Sequence, residues 1–372
     1  MTGDLYMKGL YIHIPFCVQK CKYCDFTSFA GIADKADAYL DALFREWEQY
    51  RGEKVDTVFI GGGTPTALST QQLNTLLKQC AKTFSVSSDA EFSMEMNPKT
   101  ADDDKIKALL FGGVNRISVG IQSLNDSELK KIGRIHSAES AYTTVCRLNE
   151  LGFKNINADI MTSLPDQTCE SLDNTLTKLS QLPLTHISAY SLIVEDGTPL
   201  ASEYDKGLIK LPDEDTDRKM YHMTVEKLNK LGFNQYEISN FAKSGYECRH
   251  NIKYWECEEY IGTGLSAHSY DGNRRYFNTD NFIEYLDGIS QKGADVLSQS
   301  DKISEFIIMG MRMNKGISRL EFKKRFGFEI EEKYQKQLEK FMSYGLIISE
   351  NNSYKFSGKG RDISNSVLCE FV

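Results

Sequence analysis

Three cysteines fall within eight residues, Cys17, Cys21 and Cys24 in HIPFCVQKCKYCDF. A C-x3-C-x2-C loop wraps three thiolates around one iron–sulfur cube. It supplies no fourth ligand, because the next cysteine is Cys80. Structural zinc sites close with four protein ligands and draw their C-x2-C pairs in twos. The spacing therefore predicts a [4Fe–4S] cluster with one iron open to an exogenous ligand. Three buried cysteines adjacent by chance, or a partial zinc knuckle, are the alternatives.

Further polar residues stand at or near the ends of strand-like runs. GGGTP at Gly61–Pro65 follows directly on TVFI. Glycines there let a backbone approach a ligand without a Cβ, and exposed amides would bond its polar groups. A tight strand-to-helix turn is the plainer reading. Glu95 ends a strand in MEMNP, and Gln122 lies just past one in SVGIQSLN. Arg134, in KIGRIHS, offers a planar donor fork suited to a carboxylate. Asp159, in NADIMTSLPDQT, sits inside a strand, where an unpaired carboxylate is costly. Taken singly, each reads as a salt bridge or a cap. Tyr11, six residues before the first cysteine, and Tyr23, beside the third, place aromatics near the cluster or in the core.

A second constellation is RHNIKYW, with His250, Asn251, Tyr254 and Trp255. Imidazole is a common axial ligand for heme iron. Tyr254 and Trp255 would lay a flat apolar face against a porphyrin. From the residues alone, a core histidine with two packing aromatics is the plainer reading, and Cys248 is a minor thiolate candidate.

These residues need a scaffold that gathers strand ends. Strand-like runs at Leu10–Ile14, Thr57–Ile60, Glu91–Met96, Arg116–Gly120, Ile156–Met161 and His186–Tyr190 alternate with helical patterns. One such helix places Leu40, Leu43, Phe44 and Trp47 on one side, and another opens with a Ser69–Gln72 capping box. Six strand–helix units with right-handed crossovers give an α/β fold with a parallel sheet. Six units fall short of eight, so the expected form is an open, partial (β/α)6 barrel, with sites at the carboxyl ends of its strands.

The expected organisation is a core over 1–195, a connecting region over 196–300 bearing the RHNIKYW segment, and a C-terminal module over 301–372. In the last, two helices and a hairpin turning at Glu350–Ser353 resemble a winged helix, read as an accessory domain.

Composition bounds the function. The 372 residues are 41% hydrophobic and 26% charged, with a net charge of −8. That balance argues against a general nucleic-acid binder. Nine cysteines, six of them scattered singly, make no disulfide framework and fit a reducing cytosol. MTGDLYMKGLYIHIPF has no uninterrupted apolar run of a signal peptide, and no stretch approaches the roughly 20 apolar residues of a membrane helix. The expected location is cytoplasmic, with peripheral membrane contact through partners.

The cysteine loop, followed in order by the glycine turn, Glu95, Gln122, Arg134 and Asp159, resembles the radical S-adenosylmethionine (SAM) superfamily. In that superfamily the amino and carboxylate groups of SAM chelate the open iron, and the reduced cluster cleaves SAM to a 5′-deoxyadenosyl radical. The resemblance assigns SAM contacts to Gly62, Gly63, Thr64, Glu95, Gln122, Arg134 and Asp159. Within the superfamily, LYIHIPFC, CKYCDF, GGGTPT and LPDQT resemble the oxygen-independent coproporphyrinogen III oxidase group, over roughly 8–372. The oxidase proper carries a fourth cysteine two positions after the third, where this chain has Phe26. H-N-x-x-Y-W instead resembles the heme-binding mark of that group's heme chaperones. Thr162 and Ser163 depart from the group, which usually has an aromatic residue and a glycine before LP.

The resemblance implies a chaperone that holds heme, with His250 as a contact, and passes it to apo-hemoproteins, respiratory ones among them. It implies a [4Fe–4S] cluster, SAM, a reductant for the cluster, no nucleic acid, and a homodimer. Whether the chain is also an enzyme stays open. The alternative is oxidative decarboxylation of coproporphyrinogen III to protoporphyrinogen IX.

Overall fold

The computed structural model describes residues 7–372; residues 1–6, the start of the expected core and of the segment read as no signal peptide, lie outside the described residues. Six parallel strands follow one another in space as in sequence: β1 (Lys8–Ile14), β2 (Lys54–Gly62), β3 (Ser85–Met96), β4 (Arg116–Gln122), β5 (Asn155–Thr162) and β6 (His186–Ser191). Helices α1 (Ala36–Trp47), α2 (Thr70–Thr83), α3 (Asp103–Phe111), α4 (Ala138–Leu151) and α5 (Cys169–Leu179) cross between them. The partial barrel is as expected, and it stays open.

Each strand alternates with period two. Leu10, Ile12 and Ile14, Val58 and Ile60, Met94 and Met96, Ile117, Val119 and Ile121 are buried in one large core with the helices. The alternate residues are mostly polar: Tyr11 and His13, Thr57, Glu91, Ser93 and Glu95, Arg116 and Ser118, Asn157 and Asp159. Ladder register sets these side by side, with Glu95 against Ser118 and Asp159 against Ser188. One strand face therefore builds the core and the other lines the barrel interior.

The sheet continues beyond these six strands. After β6 and α6 (Glu214–Lys230) come two short strands, β7 (Asn234–Gln235) and β8 (Asn240–Ala242), and β8 pairs antiparallel with β6. Next follow α7 (Arg249–Trp255), β9 (Tyr260–Thr263), β10 (His268–Tyr270), β11 (Arg274–Asn278) and β12 (Gln291–Val296). Strand β9 lies parallel to β1, and β10, β11 and β12 add antiparallel beside it. The full order is β12-β11-β10-β9-β1-β2-β3-β4-β5-β6-β8-β7.

A second hydrophobic core joins α8 (Gln299–Arg312), α9 (Arg319–Phe326), α10 (Ile330–Ser343) and a small sheet of β13 (Ile317–Ser318), β14 (Ile347–Glu350) and β15 (Ser353–Phe356). The hairpin turns where expected, with Asn351 and Asn352 at positive φ. Among the described residues no helix is long and apolar enough to cross a membrane.

Candidate functional site

The cysteine loop leaves β1 at the carboxyl end of the sheet. It is bracketed by a parallel pairing of Phe16–Cys17 with Phe29–Ala30 and tied down where Lys22 donates its amide to Ile132 O at 3.1 Å. Each thiol has a polar neighbour. Thr64 Oγ1 lies 3.8 Å from Cys17 Sγ, Ser28 Oγ 4.0 Å from Cys24 Sγ, and Arg134 Nη1 donates to Cys21 Sγ at 3.3 Å. Burial pushes the Cys17 and Cys24 thiols up from their ordinary pKa. Among the described residues no three His, Cys, Asp or Glu side chains converge closely enough for a single metal ion. Three thiolates from one short loop are a donor set that suits an iron–sulfur cluster.

The glycine turn is a close approach at three successive positions. A Cβ on Gly61 would stand 2.9 Å from the Glu95 carboxylate, and one on Gly63 would stand 2.7 Å from Phe16 O. Gly62 has φ +109°, and a Cβ there would fall 2.4 Å from the His13 ring. The expected exposed amides are not found. Gly62 donates its N–H to Glu95 Oε2 at 3.0 Å, Gly63 to Ile14 O at 2.9 Å and Thr64 to Phe16 O at 2.8 Å. The turn packs against β1 and orients Glu95, and both roles use up its amides.

Glu95 is the acid most altered by its surroundings at this mouth. Burial, then the nearby Asp159 charge, raise its pKa to about 7 against the pull of the Gly62 amide and Arg116. Asp159 is raised as well, chiefly by burial. Its oxygens are satisfied by Ser118 Oγ at 2.9 Å and Asn157 Nδ2 at 2.7 Å, so it is not orphaned. Gln122 bends back at φ +64° at the end of β4. A Cβ on Gly120 would meet Gln122 Nε2 and Arg134 Nη2 at 3.1 Å each, so both side chains converge over that glycine. Arg134 also donates to Gly120 O, while its buried Nε has no partner. Tyr23 packs against a satellite core that includes Ile132, Leu164 and Leu200. A buried guanidinium with an idle donor, near the Cys21 thiol and the Asp159 carboxylate, fits a ligand bearing both an amine and a carboxylate.

Helix α7 is fastened to the barrel at three points. Glu91 accepts the amides of Arg249 and His250 at 2.9 and 3.1 Å. Lys253 is buried between Asp56 (3.0 Å) and Glu258 (2.7 Å). His250 Nδ1 meets Thr57 Oγ1 at 2.9 Å, and its Nε2 meets Tyr254 Oη at 2.7 Å. His250 is 1% exposed, stacks on Phe59, and burial lowers its pKa to about 3, so it is neutral. Both ring nitrogens are engaged within the protein.

A cavity of about 800 Å³ joins the two regions. Tyr11, His13, Gly62 and Glu95 line it from the barrel, and Tyr254 and Trp255 from α7. Phe26, 64% exposed, stands at its edge, and Met309 reaches it from α8. The volume lies in the range of pockets that take cofactor-sized ligands. His250 does not line it.

Residues 11–179 match the radical SAM superfamily, and residues 297–363 match the HemN C-terminal domain. The heme chaperone HemW of Lactococcus lactis is 38% identical over 97% of this chain and 96% of its own length. The chain belongs to the HemW family. The HemW proteins of Bacillus subtilis (36% identity, 98% of this chain, 99% of that one) and Escherichia coli (34%, 98% and 98%) agree along the whole length. In fold, the chain is similar to the coproporphyrinogen III oxidase HemN of Escherichia coli, described as a radical SAM enzyme. The TM-score is 0.86 at 24% identity, over 98% of this chain and 90% of that one.

The three cysteines, the glycine turn, Glu95, Gln122, Arg134 and Asp159 lie toward the carboxyl ends of the strands or in the loops that follow. Of these only Gly62 and Glu95 line the cavity, and His250 lies behind Tyr254 rather than on the wall. Three residues with clear roles escaped the sequence reading. His13 bridges Tyr11 Oη (3.0 Å) and Thr27 O (2.8 Å) under the glycine turn. Arg116, 2% exposed, sits among Glu91, Asp159 and the Cys248 thiol, its positive charge beside the two carboxyl groups. Glu91 anchors α7. Period-two alternation of polar residues along β3 and β4 was the available signal for the last two.

Proposed function

We propose that this protein is a heme chaperone: it binds heme in the shared cavity and passes it to apo-hemoproteins. Cys17, Cys21 and Cys24 hold a [4Fe–4S] cluster in this reading. Gly62, Gly63, Thr64, Glu95, Gln122, Arg134 and Asp159 hold SAM, with Tyr11 and Tyr23 flanking them. When bound, the cluster and SAM supply reductive radical chemistry; the chain's own residues orient and enclose. Arg134 faces a carboxylate with its idle Nε, and Glu95 and Asp159 face an ammonium. Tyr254 and Trp255 present the aromatic surface for the macrocycle, with His250 fixing Tyr254 from behind and meeting heme when that hydrogen bond opens.

The observation that carries this reading is the single cavity lined both by Glu95 and Gly62 and by Tyr254 and Trp255. Full-length similarity to proteins named heme chaperone supports it. Phe26, at the cavity edge where the oxidase resemblance expects a cysteine, speaks against decarboxylation. We read 1–195 as the core, 196–300 as the connecting region that extends its sheet and bears the heme segment, and 301–372 as the C-terminal module. The acceptors are hemoproteins, respiratory enzymes among them; a reductant serves the cluster, two copies pair, and the protein works in the cytoplasm, at the membrane through partners.

The test is an anaerobic titration of the cluster-reconstituted protein with heme, followed by gel filtration, beside an assay for coproporphyrinogen consumption and 5′-deoxyadenosine. Retained, near-stoichiometric heme without substrate turnover supports the chaperone. Turnover with no retained heme replaces it with the oxidase.

A further inference from the structure

Resting on the heme-chaperone reading, we propose that His268 is the residue that ligates the heme iron in the resting cavity. Of the chain's six histidines, five have at least one ring nitrogen engaged within the protein, and the one unpartnered nitrogen of His136, Nδ1, is buried away from the cavity. His13 is held by Tyr11 and Thr27, and His250 by Thr57 and Tyr254. His186 lies between Asn157 and Tyr236, His136 bonds Ile121 O, and His222 pairs with Asp362. His268 is exposed and lines the cavity, and among the described residues no group hydrogen-bonds its ring.

Its setting suits a flat macrocycle. On β10 and β11, His268 pairs with Phe277 and Tyr270 with Arg275, and Tyr260 on β9 pairs with Tyr270. Paired residues project to one side of a sheet, so these five side chains share a face. All five line the cavity, and His268 stacks on Phe277 with ring centroids 5.5 Å apart. The Arg275 guanidinium covers Tyr270 at 4.8 Å while binding Glu305 of α8 through two hydrogen bonds of 2.9 and 2.7 Å. That ion pair ties the wall to α8, whose Met309 adds a thioether to the lining. The result is an aromatic wall with one free imidazole on it.

The absence of a partner on the ring also fits the task. A ligating histidine is usually strengthened and oriented by a hydrogen bond from its other nitrogen. His268 has none, so its bond to iron is easily exchanged for the ligand of an acceptor. Partial desolvation in the cavity, then the Arg275 charge, lower its pKa, which favours the neutral form that ligates. His250, by contrast, must part from Tyr254 before either nitrogen can reach iron.

The experiment compares wild type, His268→Ala and His250→Ala, each cluster-reconstituted, titrated with heme anaerobically and examined by Soret absorbance and ferrous resonance Raman. For His268→Ala the inference predicts loss of the iron–histidine stretch, a shifted Soret band and affinity weakened about tenfold or more, with added imidazole restoring the band. His268 is exposed, so the variant folds; cluster content and melting temperature check that. Heme spectra of His268→Ala that match wild type, with the iron–histidine signature lost only in His250→Ala, overturn the inference. Wild type that retains no heme overturns the reading on which it rests, and the inference with it.

Discussion

The Glu91 carboxylate accepts the backbone N–H of His250 at 3.1 Å, with the neighbouring Arg249 amide on its other oxygen at 2.9 Å. One strand, β3, therefore carries both the anchor of α7 and, four residues on along the same face, Glu95 at the mouth. Movement of β3 on SAM binding would be transmitted directly to Tyr254 and Trp255. Coupling of this kind appears as different heme affinity with and without SAM.

Glu91→Gln replaces one acceptor oxygen by an amide that opposes a backbone N–H. The expected outcome is a loss of about 1–3 kcal/mol in stability and weaker heme uptake, with SAM binding close to wild type. Thermal denaturation and parallel titrations check this. A SAM affinity that falls as far as the heme affinity would mean that Glu91 serves the whole barrel rather than α7.

Arg134 reaches Cys21 Sγ and Gly120 O with two branches of one planar fork. A lysine has a single point donor and cannot span both. Arg134→Lys is expected to keep its cluster iron and lose about tenfold in SAM affinity, read as a weakened SAM-induced change in the cluster's electron paramagnetic resonance. An unchanged response removes Arg134 from the SAM site.

Gly62→Ala tests the turn. The new methyl group meets the His13 ring at φ +109°, so both strain and collision act against it. The expected cost is about 2–4 kcal/mol, with the largest increase in hydrogen exchange around residues 61–65 and the facing end of β1. A fully stable variant would show that the turn relaxes freely and that its geometry is not what orients Glu95.

Glu95 gives a pH dependence. Its pKa is raised from 4.5 to about 7 in the folded protein. Between those values the folded state holds a proton that the unfolded chain has released. Stability therefore falls as pH rises through this window and levels off above it. Glu95→Gln removes that component. Metal-free variant and wild type should differ little near about pH 4.5, and the variant should be the more stable by a few kcal/mol at about pH 8. Chemical denaturation at both values measures it. Parallel pH profiles would show that Glu95 ionises freely in the fold.

Much of this arrangement was legible from residue types alone. The six strand runs and the Ser69 capping box each express a local rule, and the structure repeats them. The antiparallel extension was not legible, because β9, β10 and β11 hold only three to five residues each. At that length period two cannot be told from chance, so Tyr260, His268 and Phe277 gave no sign of sharing a face. His250 shows the opposite limit. Its motif marks a helix whose Tyr254 and Trp255 line the cavity, but which ring nitrogens are free depends on Thr57, far away in the chain, and on Tyr254 one helical turn along.

The measurement that bears most directly on the central claim is transfer. Cluster-reconstituted protein carrying one equivalent of heme, with SAM, is mixed anaerobically with an excess of an apo b-type hemoprotein, and both are separated by gel filtration and read at the Soret band. The account predicts that heme moves to the acceptor, faster than from free heme carried by serum albumin, and that the emptied chain rebinds heme. Heme that stays on the chain, or reaches the acceptor no faster than from albumin, contradicts it.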